Sequence, residues 1–273
     1  MRRKPAPERP ARIVKATIAY HGAAFSGWQI QRQGERTVQG VLEAALKKTI
    51  GRVPKLVAAS RTDAGVHALG QVVQFALESE TPAALSDPNG RSARRPLTAQ
   101  RLREALNFHL PADAAVLKVQ FIPASQKFHA RHSPKAKHYR YRIHASRTKP
   151  VFDTDTCIWV HPDLDTDKMR EAARFLVGKN DFTAFSARTE TAQERRRTIR
   201  IFSIKRSGAR LTIDIVGDGF LQHMIRIMVG TLIEIGKGTR PVSDVARLLK
   251  SGNRLEAGRT AAPHGLTLVK VYY

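Results

Sequence analysis

The order in which the hydrophobic period changes along this chain restricts its fold more than any other feature. Residues 12–20 alternate with period two, placing Val14, Ala16, Ile18 and Tyr20 on one face, as a half-buried strand does. Val38, Val41, Leu42, Ala45, Leu46 and Ile50 then fall at helical spacing. Short strands are expected over 55–60 and 71–77. Leu102, Ala105, Leu106 and His109 mark a second helix that Pro111 closes, and 115–122 reads as a further strand. The run is β-α-β-β-α-β.

The second half repeats it. A strand over 137–144 precedes a helix with Met169, Ala172, Ala173 and Leu176 on one side. Paired strands over 197–206 and 210–216 flank the turn Ser207-Gly208. A long apolar helix from Phe220, a shorter one from Val242 and a strand over 266–272 complete the chain. Each run is the split βαβ, or ferredoxin-like, unit. The expected fold class is therefore α/β (α+β), with two tandem βαββαβ-type halves in a pseudo-twofold relation and a central cleft for a ligand. The expected boundaries are a flexible basic arm at 1–11, a first half at 12–122 that carries Asp63, a connection at 123–136 and a second half at 137–273.

Charge narrows the partner. The 273 residues include 47 Lys plus Arg against 23 Asp plus Glu, a formal net charge of +24. Such an excess repels itself in a compact chain and calls for a polyanion. Nucleic acid fits, because phosphates neutralised by Lys and Arg release counterions. A membrane surface would call for a basic amphipathic helix with aromatic anchors, and the sequence has none. The apolar run 220–235 is broken by Gln222, His223, Arg226 and Glu234, so no membrane span is expected. Cys157 is the only cysteine, which excludes an intrachain disulfide and suits a reducing, cytoplasmic setting. The N-terminus lacks the apolar core of a signal peptide. Residues 79–97, rich in Pro, Ser, Ala and Arg, read as a surface insertion. There Arg91, Arg94 and Arg95 either fold onto RNA or sit in water.

Three places could carry chemistry. In 137–144, Tyr139, Tyr141 and Ile143 alternate with His138, Arg140, Arg142 and His144. One face could stack on a base while the other meets phosphates; equally, the tyrosines could be core and the cations solvated. Asp63 lies in Arg61-Thr62-Asp63-Ala64-Gly65, where a strand ends and the chain must turn. A carboxylate there could cap a turn or pair with Arg61 at the surface. In a protein built for polyanions it also suits a nucleophile or base beside a flipped nucleotide. Arg226 interrupts a helix that is apolar nearly all round, so it either snorkels to an edge or meets a buried partner, for which Asp63 is the candidate. His129-Ala130-Arg131-His132 has metal-like spacing, but no carboxylate is close in sequence and cations surround it. Gly217-Asp218-Gly219 lacks the rest of a dinucleotide fingerprint, and no phosphate-binding Lys-Ser/Thr loop occurs. The chemistry is expected to need no cofactor and no metal.

Ser60-Arg61-Thr62-Asp63-Ala64-Gly65-Val66-His67-Ala68 closely resembles the catalytic motif of the tRNA pseudouridine synthase A family. Other blocks follow in that family's order: Tyr20-His21-Gly22, Phe25-Ser26-Gly27-Trp28-Gln29, Thr37-Val38-Gln39-Gly40, Leu106-Asn107 and Leu110-Pro111. Phe128-His129-Ala130-Arg131, Lys137-His138-Tyr139-Arg140-Tyr141, Asn180-Asp181-Phe182-Thr183, His223-Met224-Ile225-Arg226 and Gly265-Leu266 complete them, so the resemblance spans residues 12–273. Ser60 stands where the motif commonly has glycine, and the insertion at 79–97 is longer than usual.

The resemblance implies the pseudouridine synthase fold and an isomerase that turns uridine into pseudouridine in the anticodon arm of tRNA, at positions 38, 39 and 40. It implies Asp63 as the catalytic aspartate, acting by nucleophilic attack or by taking a proton from the ribose. Tyr139 would stack on the uracil and take part in removing its C5 proton. Arg226 would be the ion-pair partner of Asp63, Leu266 would pack on the base, and Arg61 would hold the nucleotide flipped out. A cytoplasmic homodimer, in which one tRNA meets both subunits, is implied as well. Two rivals stand beside this reading: a pseudouridine synthase acting on a different RNA site, and a non-catalytic RNA-binding protein of the same fold. Asp63, Tyr139 and Arg226 together weigh against the second, since binding alone needs no buried carboxylate–arginine pair.

Overall fold

A computed structural model describes residues 12–31, 34–77, 97–123, 125–187 and 195–273. The arm at 1–11, and the insertion expected at 79–97 apart from Leu97, lie outside the described residues. The chain divides into two compact units: residues up to Thr62 with Gly70–Ser133, and Asp63–Leu69 with Pro134–Tyr273. The division expected from sequence placed Asp63 with the first half; its contacts group it with the second.

The first unit contains β1 (Arg12–Tyr20), α1 (Val38–Ile50), β2 (Val57–Ala58), most of β3 (His67–Leu77), α2 (Ala99–His109) and β4 (Ala114–Ile122). Its strands run in the order β4-β1-β3-β2, with β1 and β4 antiparallel from Ile13 opposite Ile122 to Tyr20 opposite Ala114. Val14, Ala16, Ile18 and Tyr20 are all buried, the face that the alternation assigns to the core. Thr37 caps α1 by accepting from Gly40 N at 3.2 Å, and Gly51 ends it with φ +78°. Thr98 caps α2 in the same way, accepting from Arg101 N at 3.2 Å. The two helices pack on each other, and α2 packs on β4.

The second unit contains β5 (Ala136–Ala145), β6 (Ile158–Val160), α3 (Thr166–Arg174), β7 (Gly178–Asp181), β8 (Arg196–Ser207), β9 (Arg210–Gly217), α4 (Met224–Gly236), α5 (Asp244–Ser251) and β10 (Leu266–Tyr272). Its strand order is β10-β5-β9-β8-β7, with β6 beside the end of β5. When β5, β8, β9 and β10 are counted as first to fourth, the order is fourth, first, third, second. β1 to β4 of the first unit follow that same order, as the tandem ferredoxin-like reading expects. β6 and β7, of three and four residues, are additions too short to show a period. The apolar helix expected from Phe220 begins at Met224 instead. His223 before it has φ +60°, a left-handed conformation that no residue inside a right-handed helix can hold. Among the described residues, no helix is long and apolar enough to cross a membrane.

Candidate active site

Asp63 opens a tight turn. Val66 N donates to Asp63 O at 3.2 Å, and Gly65 has φ +77° while Ala64 does not share a positive φ, the pattern of a type II turn. Glycine is required twice over at position 65, because a Cβ there would also lie 2.9 Å from Pro263 Cγ. Beyond the turn the chain enters β3, whose His67 and Ala68 pair in parallel with Thr267 and Leu268 of β10. His67 Nε2 lies 3.1 Å from His264 O. The backbone that carries the carboxylate is thus tied to β10 and to the short helical turn before it.

Arg226 enters from α4, a helix buried over nearly its whole length. Its Nη1 donates to Asp63 Oδ2 at 2.9 Å and its Nε to Ala261 O at 2.8 Å, while Ala261 N donates back to Arg226 O at 3.0 Å. Of the two sequence readings, the pairing with Asp63 is the one observed, with the carboxylate part-buried. The loop that bears Ala261 lies close on α4. A Cβ on Gly230 would fall 1.7 Å from the carbonyl oxygen of Arg259. Gly258 N donates to Thr231 Oγ1 at 3.0 Å, and Arg259 N donates to Glu234 Oε1 at 3.0 Å. Tyr141 Oη donates to Ala262 O at 2.6 Å from a fully buried ring. Burial pushes that hydroxyl's pKa upward, against a smaller opposing effect of Arg226.

Sequence reading did not single out His223. Its Nε2 lies 3.6 Å from Asp63 Oδ2, the oxygen that Arg226 already holds. One signal could have found it: a histidine three residues before Arg226 falls on the same side of the helix, one turn earlier.

Tyr139 and Leu266 sit on adjoining strands. In the pairing of β5 with β10, Leu268 is opposite Tyr139 and Leu266 is opposite Tyr141. Tyr139 is buried and meets the ring of Phe220 edge-on, with centroids 5.2 Å apart. Leu266 is buried as well. Arg61 is exposed and belongs to the first unit. On the other face of β5, His138 and Arg140 do not stand ready for phosphates. His138 Nε2 is 2.6 Å from Asp214 Oδ1, and Arg140 reaches both oxygens through Nε at 2.9 Å and Nη2 at 3.3 Å. Asp214 lies directly opposite Arg140 on β9, so the cluster is a cross-strand pair with one added histidine. The metal-like spacing of His129 and His132 serves a turn instead, in which His129 Nδ1 accepts the N–H of Arg131 at 3.2 Å and of His132 at 3.3 Å.

Comparison with known proteins gives one family. A family model described as tRNA pseudouridine synthase matches residues 16–133 and 172–273. The chain is 42% identical over 261 residues to a tRNA pseudouridine synthase A of Geobacillus kaustophilus (strain HTA426), covering 95% of this chain and 94% of that protein. A tRNA pseudouridine synthase A of Anoxybacillus flavithermus (strain DSM 21510 / WK1) is 42% identical over 265 residues, 96% of this chain and 99% of the other. One from Geobacter sp. (strain M21) is 40% identical over 263 residues, 96% and 99% of the two chains.

Proposed function

Because the chain belongs to the tRNA pseudouridine synthase family, we propose that it acts on the anticodon arm of tRNA, at uridines 38, 39 and 40, with Asp63 as its catalytic carboxylate. Membership makes it an isomerase that converts uridine in tRNA to pseudouridine. In that reaction the C1′–N1 bond of the nucleotide breaks, the uracil turns, and C5 bonds to C1′. C5 gives up a proton and N1 gains one, so substrate and product contain the same atoms and electrons.

The observation that carries the assignment is the contact of Arg226 with Asp63 at 2.9 Å. An arginine confined within an apolar helix, with one nitrogen fixed to the Ala261 carbonyl, presents a rigid donor to one oxygen of the carboxylate. That supports a carboxylate set in a fixed pose toward the ribose, where it either attacks or takes a proton. Tyr139 stacks on the uracil and takes part in removing the C5 proton. Leu266 packs against the base, and Arg61 holds the nucleotide out of the stack. The enzyme works as a cytoplasmic homodimer, in which one tRNA meets both subunits; the net charge of +24 supports so broad a polyanion contact.

Mapping by chemical adduct and primer extension on unmodified tRNA transcripts tests this. Wild type is expected to give pseudouridine at 38, 39 and 40, and Asp63→Ala none, with similar tRNA affinity and the same weakening of binding by salt. Product confined to another stem would overturn the anticodon assignment. A wild type that binds RNA without product would favour a non-catalytic protein of this fold.

A further inference from the structure

The environment of the Asp63 carboxylate is one-sided. Arg226 Nη1 at 2.9 Å and His223 Nε2 at 3.6 Å both approach Oδ2, and among the described residues no hydrogen bond or ion pair falls on Oδ1. His223 is also one of two described non-glycine residues with positive φ, at φ +60° and ψ 0°, immediately before α4. Outside glycine such a conformation is uncommon, and strained backbone concentrates where a side chain must be aimed. Here the left-handed residue ends the bend after Phe220 and turns its imidazole toward the carboxylate, one helical turn before Arg226.

We propose that His223 is a positioning residue for Asp63: with Arg226 it holds Oδ2, so that Oδ1 is the oxygen presented to the ribose. The inference rests on the catalytic reading of Asp63 given above. A separation of 3.6 Å is an ion-pair distance, beyond hydrogen-bond reach, and contacts of this kind often tighten only when substrate closes the site. Once His223 closes to hydrogen-bond distance beside Arg226, rotation of the carboxylate about its Cβ–Cγ bond is resisted, and its second oxygen keeps a fixed direction. With Arg226 alone, one hydrogen bond leaves that rotation open. The preorganisation is used in the chemical step and not in tRNA capture, so its loss falls on kcat.

The test is steady-state kinetics on a tRNA transcript with His223→Gly, which accepts the same φ without strain and lacks the imidazole. The expected result is a kcat about tenfold lower, an unchanged KM for tRNA and an unchanged melting temperature, with part of the rate restored by millimolar imidazole. His223→Asn, which also tolerates the left-handed conformation, is expected to show the same loss without rescue, because its amide fills the vacated space. A wild-type kcat in both variants overturns the proposal, and so does a raised KM at unchanged kcat, which would make His223 a binding residue. Asp63→Asn, measured alongside, separates the two readings. If it is inactive while His223→Gly is normal, only the positioning role falls; if it is fully active, the catalytic role of Asp63 falls with it.

Discussion

Asp214 and Asp63 are each approached by one histidine and one arginine, yet their oxygens are filled differently. On Asp214, His138 and Arg140 Nε share Oδ1 while Arg140 Nη2 takes Oδ2, so both oxygens are engaged. On Asp63 the arginine and the histidine both converge on Oδ2. Burial works against ionising Asp214, but the hydrogen bonds from Arg140 and His138 outweigh it and hold its pKa below the ordinary carboxylate value. A carboxylate engaged on both oxygens, in mid-strand, has nothing left to offer a substrate; its contacts go into pairing β5 with β9. A carboxylate engaged on one, at a turn, keeps an oxygen for chemistry. Residue type alone does not separate the two sites. Their geometry does.

The widest separation is expected from parallel asparagine and alanine variants. Asp63→Asn keeps the shape of the side chain and an acceptor for Arg226, so its melting temperature should stay within about 3 °C of wild type. Its turnover should fall by about a thousandfold or more, read as pseudouridine formed per enzyme. Asp214→Ala should do the reverse. It leaves His138 and Arg140 facing each other without their shared anion, a loss of about 2 kcal/mol, or roughly 4–8 °C in melting temperature. Turnover should stay at the wild-type level. An Asp214→Ala enzyme that is stable but inactive would erase the distinction between the two carboxylates.

A smaller effect follows from acid. Because the folded-state pKa of Asp214 lies below its ordinary value of 3.8, its contribution to stability is fully present above that value. It is lost as pH falls through the lower folded-state value. The stability gap between wild type and Asp214→Ala should therefore be constant from about pH 5 to 7 and close progressively below about pH 4, as measured by denaturant unfolding at each pH. A gap that widens in acid would mean that the cluster is not held by the ionised form.

Much of this arrangement was legible before any coordinates, and the exceptions have a common cause. The alternation of Val14, Ala16, Ile18 and Tyr20 marked the buried face of β1, and β10 spans the residues that the pattern assigned to it. Arg226 was visible as a charge inside an apolar helix, since burial there demands a partner. What local pattern could not carry were features set by residues far away in sequence. Asp63 groups with the second unit because His67 and Ala68 pair with Thr267 and Leu268, some 200 positions later. The basic face of β5 reads as open to phosphate until Asp214, on another strand, is placed opposite Arg140. Composition puts the start of α4 four residues too early, because it does not reveal that His223 is left-handed.

The smallest effect sharpens the comparison on the Asp63 side, through a residue that touches neither carboxylate oxygen. Tyr141 Oη donates to Ala262 O at 2.6 Å, next to the Ala261 carbonyl that receives Arg226 Nε at 2.8 Å. The ring itself is locked, because a Cβ on Gly265 would come within 2.6 Å of it. Tyr141→Phe removes one part-buried hydrogen bond and deprives the Ala262 carbonyl of its donor, at a cost of about 1–2 kcal/mol. If Ala261 and Ala262 act together as the seat of the guanidinium, the variant should also lose about threefold in kcat with KM for tRNA unchanged. Asp214→Ala, at a similar cost in stability, should show no such loss confined to kcat. The two variants measured side by side, by thermal melting and by turnover, therefore separate destabilisation in general from loosening of Arg226. Equal turnover in both would confine Tyr141 to packing and leave the seat of Arg226 Nε to Ala261 without Ala262.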